Sequence, residues 1–302
     1  MITWKHLRAV AALGIAAGLL FARLPDVLAA EEQGVVVFRA TDLPGYRAVE
    51  KSFIEALGRP ARAVLLAPGD VDTQMAATAG NAALVLALGP EAATAAAKLK
   101  GPRVLYALVP RPARLGLERL PGIPSYASAG RQIRALRGVL PRARRIGVIF
   151  NGSESADLLG DCASALEAAG LTLVTGEAAS TADVPGALRK LLPKVDVLWL
   201  LPDPTVVGSD TMRTIFASAA TAKVPILGFS EIQARAGALI AVEARYDDVG
   251  RKAAAAARKL LSGGPIVPES PEVAIFINAH TAQALGLELS DAARGRAARV
   301  FE

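Results

Sequence analysis

Apolar and polar residues along this chain follow two periods that alternate from one end to the other. Short, largely apolar runs, typical of strands covered on both faces, occupy residues 35–38, 61–67, 83–88, 103–109, 145–150, 171–175, 195–201, 225–229, 238–242 and 273–277. Segments with apolar residues every three or four positions, typical of amphipathic helices, occupy residues 46–57, 71–79, 91–99, 131–139, 156–169, 184–192, 211–222, 248–261 and 281–285. The repeated order of strand, loop and helix predicts an α/β fold with parallel sheets.

The pattern is interrupted at residues 110–128 (PRPARLGLERLPGIPSYAS), which contain four prolines and two glycines. Such a composition is typical of a connection between domains. Strands and helices alternate on both sides of it, so the sequence predicts two parallel-sheet domains joined through this segment. Residues 291–302 are rich in Arg and Ala and are predicted to be frayed or helical.

The first 29 residues carry the pattern of a cleavable signal peptide and are predicted not to belong to the fold. Lys5 and Arg8 precede an apolar stretch at residues 9–21, which is shorter than the roughly 20 residues that cross a bilayer. Val27 and Ala29 then supply the small residues that signal peptidase prefers. The pattern predicts a secreted, periplasmic mature chain that is not embedded in the membrane; the alternative is an uncleaved membrane anchor.

Composition and charge argue against several classes of function. The net charge is +6, but the arginines are scattered and aromatic residues make up only 5% of the chain, so no nucleic-acid-binding surface is predicted. Outside the signal peptide, His280 is the single histidine and Cys162 the single cysteine, which argues against a histidine metal site or a Ser-His-Asp triad. No phosphate-binding glycine motif occurs. The sequence therefore predicts neither an enzyme nor a cofactor, and Cys162 is predicted to be a small buried hydrophobe.

A ligand-binding site is expected in the loops that follow the predicted strands, because ligands of open parallel sheets bind beyond the carboxyl ends of the strands. These loops are residues 39–45, 89–91, 110–114, 151–155, 202–209 and 230–233. Several of them precede helices, whose free N–H groups favour an anion. The candidate ligand-binding residues in or beside the loops are Asp42, Tyr46, Gly89, Pro90, Arg111, Asn151, Ser153, Asp203, Thr205, Ser230 and Glu231.

Two of these candidates in the second half of the chain, Asn151 and Ser153, could contact a ligand or cap the helix that follows them. Asp203 lies between two prolines, which stiffen its loop and could hold the carboxylate at a fixed position for an ammonium or hydroxyl group. Asp203 could equally serve as an ordinary helix cap, and the same two interpretations apply to Ser230 and Glu231.

In the first half of the chain, Arg111 lies just beyond the fourth predicted strand. It could pair with a ligand carboxylate, or it could be a solvated loop cation. Tyr46, early in a predicted helix, could stack on an apolar ligand or belong to the core.

Four stretches of the second half resemble the tryptophan/tyrosine-type substrate-binding proteins of ABC transporters, in the same order and with similar spacing. They read LPRARRIGVIFNGSES, ALRKLLPKVDVLWLLPDPTVVGSDTM, KVPILGFSEIQARAGALIAVEARYDDVGRKAAAAARKLLSGG and INAHTAQALGLEL. Three stretches of the first half, ATDLPGYRAVEKSFIEAL, LVLALGPEAATAA and VLYALVP, match more loosely. The resemblance covers roughly half of the mature chain closely.

This resemblance implies the type I periplasmic binding protein fold, in which two Rossmann-like lobes are joined by three hinge strands. By analogy, residues 121–128 form the first crossing. The first lobe would comprise residues 34–120 with 241–264, and the second lobe residues 121–240 with 265–290.

The implied function is the periplasmic binding of an amino acid or a small carboxylate-bearing metabolite, without chemistry, for an ABC transporter permease. A monomer is implied as well. The alternative is a secreted sensor or partner protein on the same fold, which would serve a membrane receptor or a neighbouring enzyme. The chain departs from the family at Pro110-Arg111-Pro112, where the family usually has an Asp-Pro pair. The change from a carboxylate to a cation favours an acidic ligand over an aromatic amino acid.

Overall fold

A computed structural model describes residues 34–302, so the predicted signal peptide, residues 1–29, lies outside the described residues. The strands are β1 (Val35–Arg39), β2 (Ala61–Leu65), β3 (Leu84–Leu88), β4 (Arg103–Ala107), β5 (Gly122–Ile123), β6 (Arg145–Phe150), β7 (Thr172–Glu177), β8 (Val197–Trp199), β9 (Ile226–Gly228), β10 (Ile240–Ala244), β11 (Val273–Asn278) and β12 (Arg299–Phe301). The α-helices are α1 (Pro44–Leu57), α2 (Val71–Ala79), α3 (Pro90–Ala96), α4 (Ala129–Val139), α5 (Gly152–Ala168), α6 (Val184–Leu191), α7 (Ser209–Thr221), α8 (Glu231–Arg235), α9 (Tyr246–Leu261), α10 (Ala279–Ala284) and α11 (Asp291–Arg296).

The strands form two sheets, and each sheet is the centre of one lobe. In the first lobe the order is β2-β1-β3-β4-β5, and all neighbours are parallel. In the second lobe the order is β12-β11-β10-β9-β8-β6-β7, in which only β10 and β11 pair antiparallel. The predicted α/β class with two parallel-sheet lobes is confirmed.

The sequence of strand β1 is apolar at consecutive positions because both faces of the strand are buried. Val35 and Val37 face one core of the first lobe, which α1 and α9 cover, whereas Val36 and Phe38 face the other core, beneath α2 and α3. Because side chains of a strand alternate between faces, a strand covered on both sides must be apolar throughout. The same rule accounts for the continuous apolar run of β3.

Trp199 is the largest fully buried side chain of the second lobe, and it anchors the chain that enters this lobe. Its ring lies in the core beneath α4 and α5, and Nε1 donates a hydrogen bond of 2.9 Å to Oε1 of Gln132. Gln132 in turn donates to the carbonyl of Ala127 at 2.8 Å. The buried indole N–H is thus satisfied, and the segment that leads from β5 to α4 is fixed to the second sheet.

Helices α1 and α9 approach each other closely because one contact position is a glycine. A Cβ atom on Gly250 would lie 1.9 Å from the hydroxyl of Ser52 and 2.5 Å from the carbonyl oxygen of Val49. Only a residue without a side chain permits this spacing. Helix α9 therefore belongs to the first lobe, although it follows the second lobe in the sequence.

The chain crosses between the lobes in three places, as the type I fold requires. It leaves the first sheet after β5, returns at Arg245 between β10 and α9, and crosses again after α9 at residues 262–272. Two predicted boundaries need correction. β5 pairs with β4, so the first lobe extends past residue 120, and β10 pairs in the second sheet, so residues 241–244 do not belong to the first lobe.

The carboxyl-terminal segment is more ordered than the sequence predicts. Residues 291–302 form helix α11 and then strand β12, which pairs with β11 at the edge of the second sheet. A strand of three residues is too short to carry a recognisable period of two. Within residues 34–302, no helix combines the length and the apolar character needed to cross a bilayer.

Candidate ligand-binding site

Arg111 is a charged residue that the first lobe presents towards the second. It follows β4, and its Nη1 donates to Oε2 of Glu154, in the first turn of α5, at 3.1 Å. The Arg111 side chain is only 11% exposed, and neither Nε nor Nη2 has a hydrogen-bond partner among the described residues. These two N–H groups form one edge of the planar guanidinium, the edge that can bind both oxygens of a carboxylate.

Buried side-chain polar atoms that lack a hydrogen-bond partner within residues 34–302 belong to Arg111, Ser125 and Ser155. Ser125 lies in the first crossing, whereas Ser155 follows Glu154 at the start of α5 and is completely buried. The backbone of Ser155 (φ −135°, ψ 23°) departs from helical geometry. Unpaired buried polar groups are rare and unfavourable in native proteins. All three residues lie on segments where the two lobes meet.

Four residues that the sequence predicts as ligand contacts are hydrogen-bonded to one another. The carboxylate of Asp203 is fully buried and accepts the backbone N–H groups of Asn151 at 2.7 Å, Thr205 at 2.8 Å and Val206 at 3.3 Å. The amide of Asn151 donates to the hydroxyl of Thr205 at 3.0 Å. Its Oδ1 accepts from the backbone N–H of Ser153 at 3.0 Å and from the Ser153 hydroxyl at 2.8 Å.

This network joins the carboxyl ends of β6 and β8, which are adjacent strands. Asp203 and Asn151 have most of their hydrogen-bonding capacity engaged within the protein. Their geometry therefore suits a framework that fixes the two loops better than it suits direct ligand contacts.

Tyr46 and Gly89, both predicted, lie together in the first lobe. Gly89 has φ +91°, and a Cβ atom there would lie 2.7 Å from the Tyr46 hydroxyl. The tyrosine ring therefore packs directly on the backbone at the carboxyl end of β3. Burial raises the pKa of Tyr46, and Glu91 nearby raises it further. Pro90 begins α3 and is exposed.

Two further predicted residues, Asp42 and Glu231, form ion pairs with arginines. Asp42 is exposed and forms ion pairs with Arg39 and with Arg47, the latter at 2.9 Å; the hydrogen bond from Arg39 is the main reason why its pKa is lowered. Glu231 pairs with Arg299 of β12 at 2.8 Å and with Arg235 at 3.2 Å.

Ser230 precedes α8, and its side chain does not cap the helix. The carboxylates of Asp42 and Glu231 thus neutralise neighbouring arginines. Arg111 pairs with neither of these carboxylates; its acidic partner is Glu154.

Four aromatic or acidic residues at the junction of the lobes were not predicted. Tyr126 in the first crossing contacts Phe229 after β9, edge to face, with ring centroids 5.8 Å apart. Tyr246, at the start of α9, donates to Oε1 of Glu243 in β10 at 2.8 Å, and its ring lies against Gly45 of α1.

Electrostatics link these rings to the predicted residues. Burial is the main reason why the pKa of Tyr126 is raised to about 12; Tyr46 adds to the effect and Arg111 opposes it. Burial also raises the pKa of Tyr246, and Glu243 adds to that effect. The tyrosines are therefore neutral hydroxyl groups. The sequence did mark Glu243, because this carboxylate interrupts the apolar run of β10. It did not mark Tyr126, which lies in a segment without periodicity.

Cys162 is buried in α5, with 3% of its surface exposed. Burial raises the pKa of its thiol to about 12, so the group is protonated and unreactive at neutral pH. This agrees with its interpretation as a small buried hydrophobe. Among residues 34–302, no group of three or more His, Cys, Asp or Glu side chains could hold a metal ion.

Comparison with known proteins gives one family match and one curated relative. Residues 114–301 match the family model described as ABC transporter substrate binding protein. A tyrosine-binding protein of Clostridioides difficile (strain R20291) is 29% identical over 176 residues, which are 55% of this chain and 50% of the relative. The chain therefore spans about half the length of the curated relative it matches.

Two proteins are among the solved structures that share the fold. One is the ABC domain in complex with L-Trp from Streptococcus pneumonia, with a TM-score of 0.62 and 21% identity over 89% of this chain and 99% of that chain. The other is the ligand-free, open structure of a substrate-binding protein with adhesive properties from Clostridium difficile. Its TM-score is 0.69, with 21% identity over 86% of this chain and 96% of that chain.

Proposed function

Because this chain belongs to the family of ABC transporter substrate-binding proteins, we propose that it binds a small carboxylate-bearing metabolite, most naturally an amino acid, between its two lobes. The proposal rests on one observation. Arg111 reaches towards the second lobe with its Nε and Nη2 atoms buried and without a partner among the described residues. A carboxylate is the chemical group that matches both N–H groups at once.

The other residues at the junction of the lobes favour an amino acid within this class. Glu243 accepts the hydroxyl of Tyr246 at Oε1 and the backbone N–H of Glu231 at Oε2, and the remaining lone pairs of its carboxylate are suited to an ammonium group. The rings of Tyr46, Tyr126 and Phe229 are suited to the apolar part of such a ligand. The names of the relatives, a tyrosine-binding protein and a domain bound to L-Trp, support the same class.

Delivery to an ABC transporter permease, on the outer side of the cytoplasmic membrane, completes the proposal. The family supports this role, and so does the amino-terminal pattern of a basic segment, an apolar stretch and a cleavage motif. On this proposal the mature protein acts in the periplasm as a monomer and binds its ligand without converting it.

Isothermal titration calorimetry with three amino acids and their decarboxylated amines tests the carboxylate requirement. The pairs are L-tyrosine with tyramine, L-tryptophan with tryptamine, and L-glutamate with propylamine, the amine that is left when both carboxylates of glutamate are removed. We expect at least one amino acid to bind and its paired amine to bind at least about 100-fold more weakly, as removal of one partner of a buried charge pair predicts.

Two variants test whether Arg111 is the residue that binds the carboxylate of the ligand. Arg111→Gln should weaken binding of that amino acid by about 100-fold. Arg103→Gln, at the exposed opposite end of the same strand β4, is the matched control and should bind as the wild type does. Equal binding of amino acid and amine, or full binding by Arg111→Gln, would contradict the proposal.

A further inference from the structure

The ion pair between Arg111 and Glu154 connects the two lobes directly. Arg111 belongs to the loop after β4 in the first lobe, and Glu154 belongs to the first turn of α5 in the second lobe, with 3.1 Å between Nη1 and Oε2. Arg114 adds a weaker contact, since its Nη1 lies 3.9 Å from Oε1 of Glu154. We refer to the contact of Arg111 with Glu154 as the interlobe ion pair.

The backbone that carries Arg111 is held rigidly, so the interlobe ion pair forms at a defined position. Leu108 has φ +58°, a left-handed conformation that is unfavourable for a residue with a side chain and persists only where the surroundings enforce it. Leu108 is buried. Pro110 and Pro112 flank Arg111 and restrict the chain further.

The guanidinium of Arg111 is only partly satisfied by Glu154. Nη1 is paired, but Nε and Nη2 are buried and lack a partner among the described residues. Approach of the lobes therefore has two opposing effects: it forms a charge-assisted hydrogen bond, and it removes two donor nitrogens, Nε and Nη2, from water without replacing their hydrogen bonds. A ligand carboxylate on the free edge removes the second, unfavourable effect.

We propose that Glu154 is a positioning residue that makes closure of the lobes depend on the ligand anion. Glu154 holds the guanidinium by Nη1 and so directs the Nε and Nη2 edge to the ligand. One guanidinium is then shared between a carboxylate of the second lobe and a carboxylate of the ligand. This inference rests on the proposed binding of a carboxylate-bearing ligand, and it adds a ligand-specific role for a residue that need not touch the ligand.

The test compares wild type, Glu154→Gln and Glu167→Gln. Glu167 is exposed near the other end of α5 and provides the matched control. L-Tyrosine and L-glutamate are the probes; stopped-flow mixing gives the dissociation rate, and small-angle X-ray scattering gives the contraction at saturation. For a probe that binds, we expect Glu154→Gln to dissociate about tenfold faster and to contract less, as loss of one charge-assisted hydrogen bond predicts, whereas Glu167→Gln should match the wild type.

A charge-reversed double variant, Arg111→Glu with Glu154→Arg, separates closure from binding. It restores an ion pair between the lobes but removes the guanidinium at position 111, and Arg114 stays in the loop after β4 as it is in the wild type. We expect it to contract without either probe and to bind neither. A double variant that remains as open as Glu154→Gln would overturn the proposal.

The outcomes distinguish the two claims. If wild type binds neither these probes nor the other amino acids tested by calorimetry, the proposed function fails, and the role of Glu154 fails with it. If wild type contracts on a probe while Glu154→Gln contracts equally and dissociates at the same rate, only the role of Glu154 is refuted.

Discussion

The carboxylate of Asp203 accepts the backbone N–H of Asn151 at 2.7 Å and thereby ties the end of β8 to the end of its neighbour β6. Both residues look like ligand contacts in the sequence, yet each is buried and hydrogen-bonded within the protein. The carboxylate also accepts two amides of its own loop. Loss of the negative charge should therefore affect the stability of the second lobe first.

We predict that Asp203→Asn lowers the free energy of unfolding by about 2–4 kcal/mol, because an amide NH₂ would face backbone donors that now bind a carboxylate. Thr205→Ala removes a single neutral hydrogen bond, that from Asn151, and should lower it by only about 1 kcal/mol. Urea titration measures both values. Equal effects of the two substitutions would show that the charge of Asp203 is not essential to the network.

Gly89 offers a test of the packing under Tyr46. We predict that Gly89→Ala is less stable than Gly101→Ala by about 1–3 kcal/mol, because the added methyl group would displace the tyrosine ring. Both glycines have a positive φ, +91° and +115°, but a Cβ atom on Gly101 would meet nothing within 4 Å. The strain of the backbone is thus common to both, and the difference between their urea midpoints isolates the contact with Tyr46.

The contact between α1 and α9 predicts opposite effects for two Gly→Ala substitutions in helices. Gly250→Ala should lower the free energy of unfolding by about 1–3 kcal/mol, because Ser52 and Val49 occupy the space that a Cβ atom requires. Gly160→Ala in α5, where nothing lies within 4 Å, should raise it by up to about 1 kcal/mol through helix propensity. Thermal and urea unfolding of both variants give the signs; a stable Gly250→Ala would contradict the close packing.

Asp247 should make the protein less stable in acid. The hydrogen bond from Arg245 is the main cause that lowers its pKa from 3.8 to about 2. A folded-state pKa below the unfolded value means that the carboxylate stabilises the fold above pH 3.8 and that this contribution is lost as the pH falls towards 2.

Asp247→Asn should therefore melt at a lower temperature than wild type at pH 6, and the gap should narrow between pH 4 and pH 2. Salt should reduce the gap as well, because the ion pairs of Asp247 are partly exposed. Glu288→Gln is a suitable control, since Glu288 is exposed and forms no ion pair within the described part of the chain. A gap that is constant with pH would contradict the assignment.

Local pattern was sufficient to predict most of the secondary structure and the two-lobed fold. β1 and β3 could be predicted because strands buried on both faces are apolar at every position. Arg111 could be predicted as a candidate ligand contact because a cation follows a buried strand. Glu243 was missed because the predicted strand ended at residue 242, one residue before it. The partners of Tyr126 and of Asp203 come from segments far apart in the sequence, and local periodicity carries no information about such contacts.

The same limit applies to the lobe boundaries. The chain changes lobe at Arg245, between a strand and a helix that are nearly continuous in sequence. Pairing with β9 determines the position of β10, and packing against α1 determines the position of α9. Neither preference is visible in the residues at the boundary itself.

The position of α9 has a consequence for the order in which the protein acquires its structure. Residues 34–123 contain every strand of the first sheet, but the apolar face shared by Val35, Val37 and Leu86 is completed only by α9. During synthesis from the amino terminus, α1 alone covers this face until residue 261 has emerged from the ribosome, long after its strands. The first lobe to be made therefore keeps part of this apolar face exposed through most of translation.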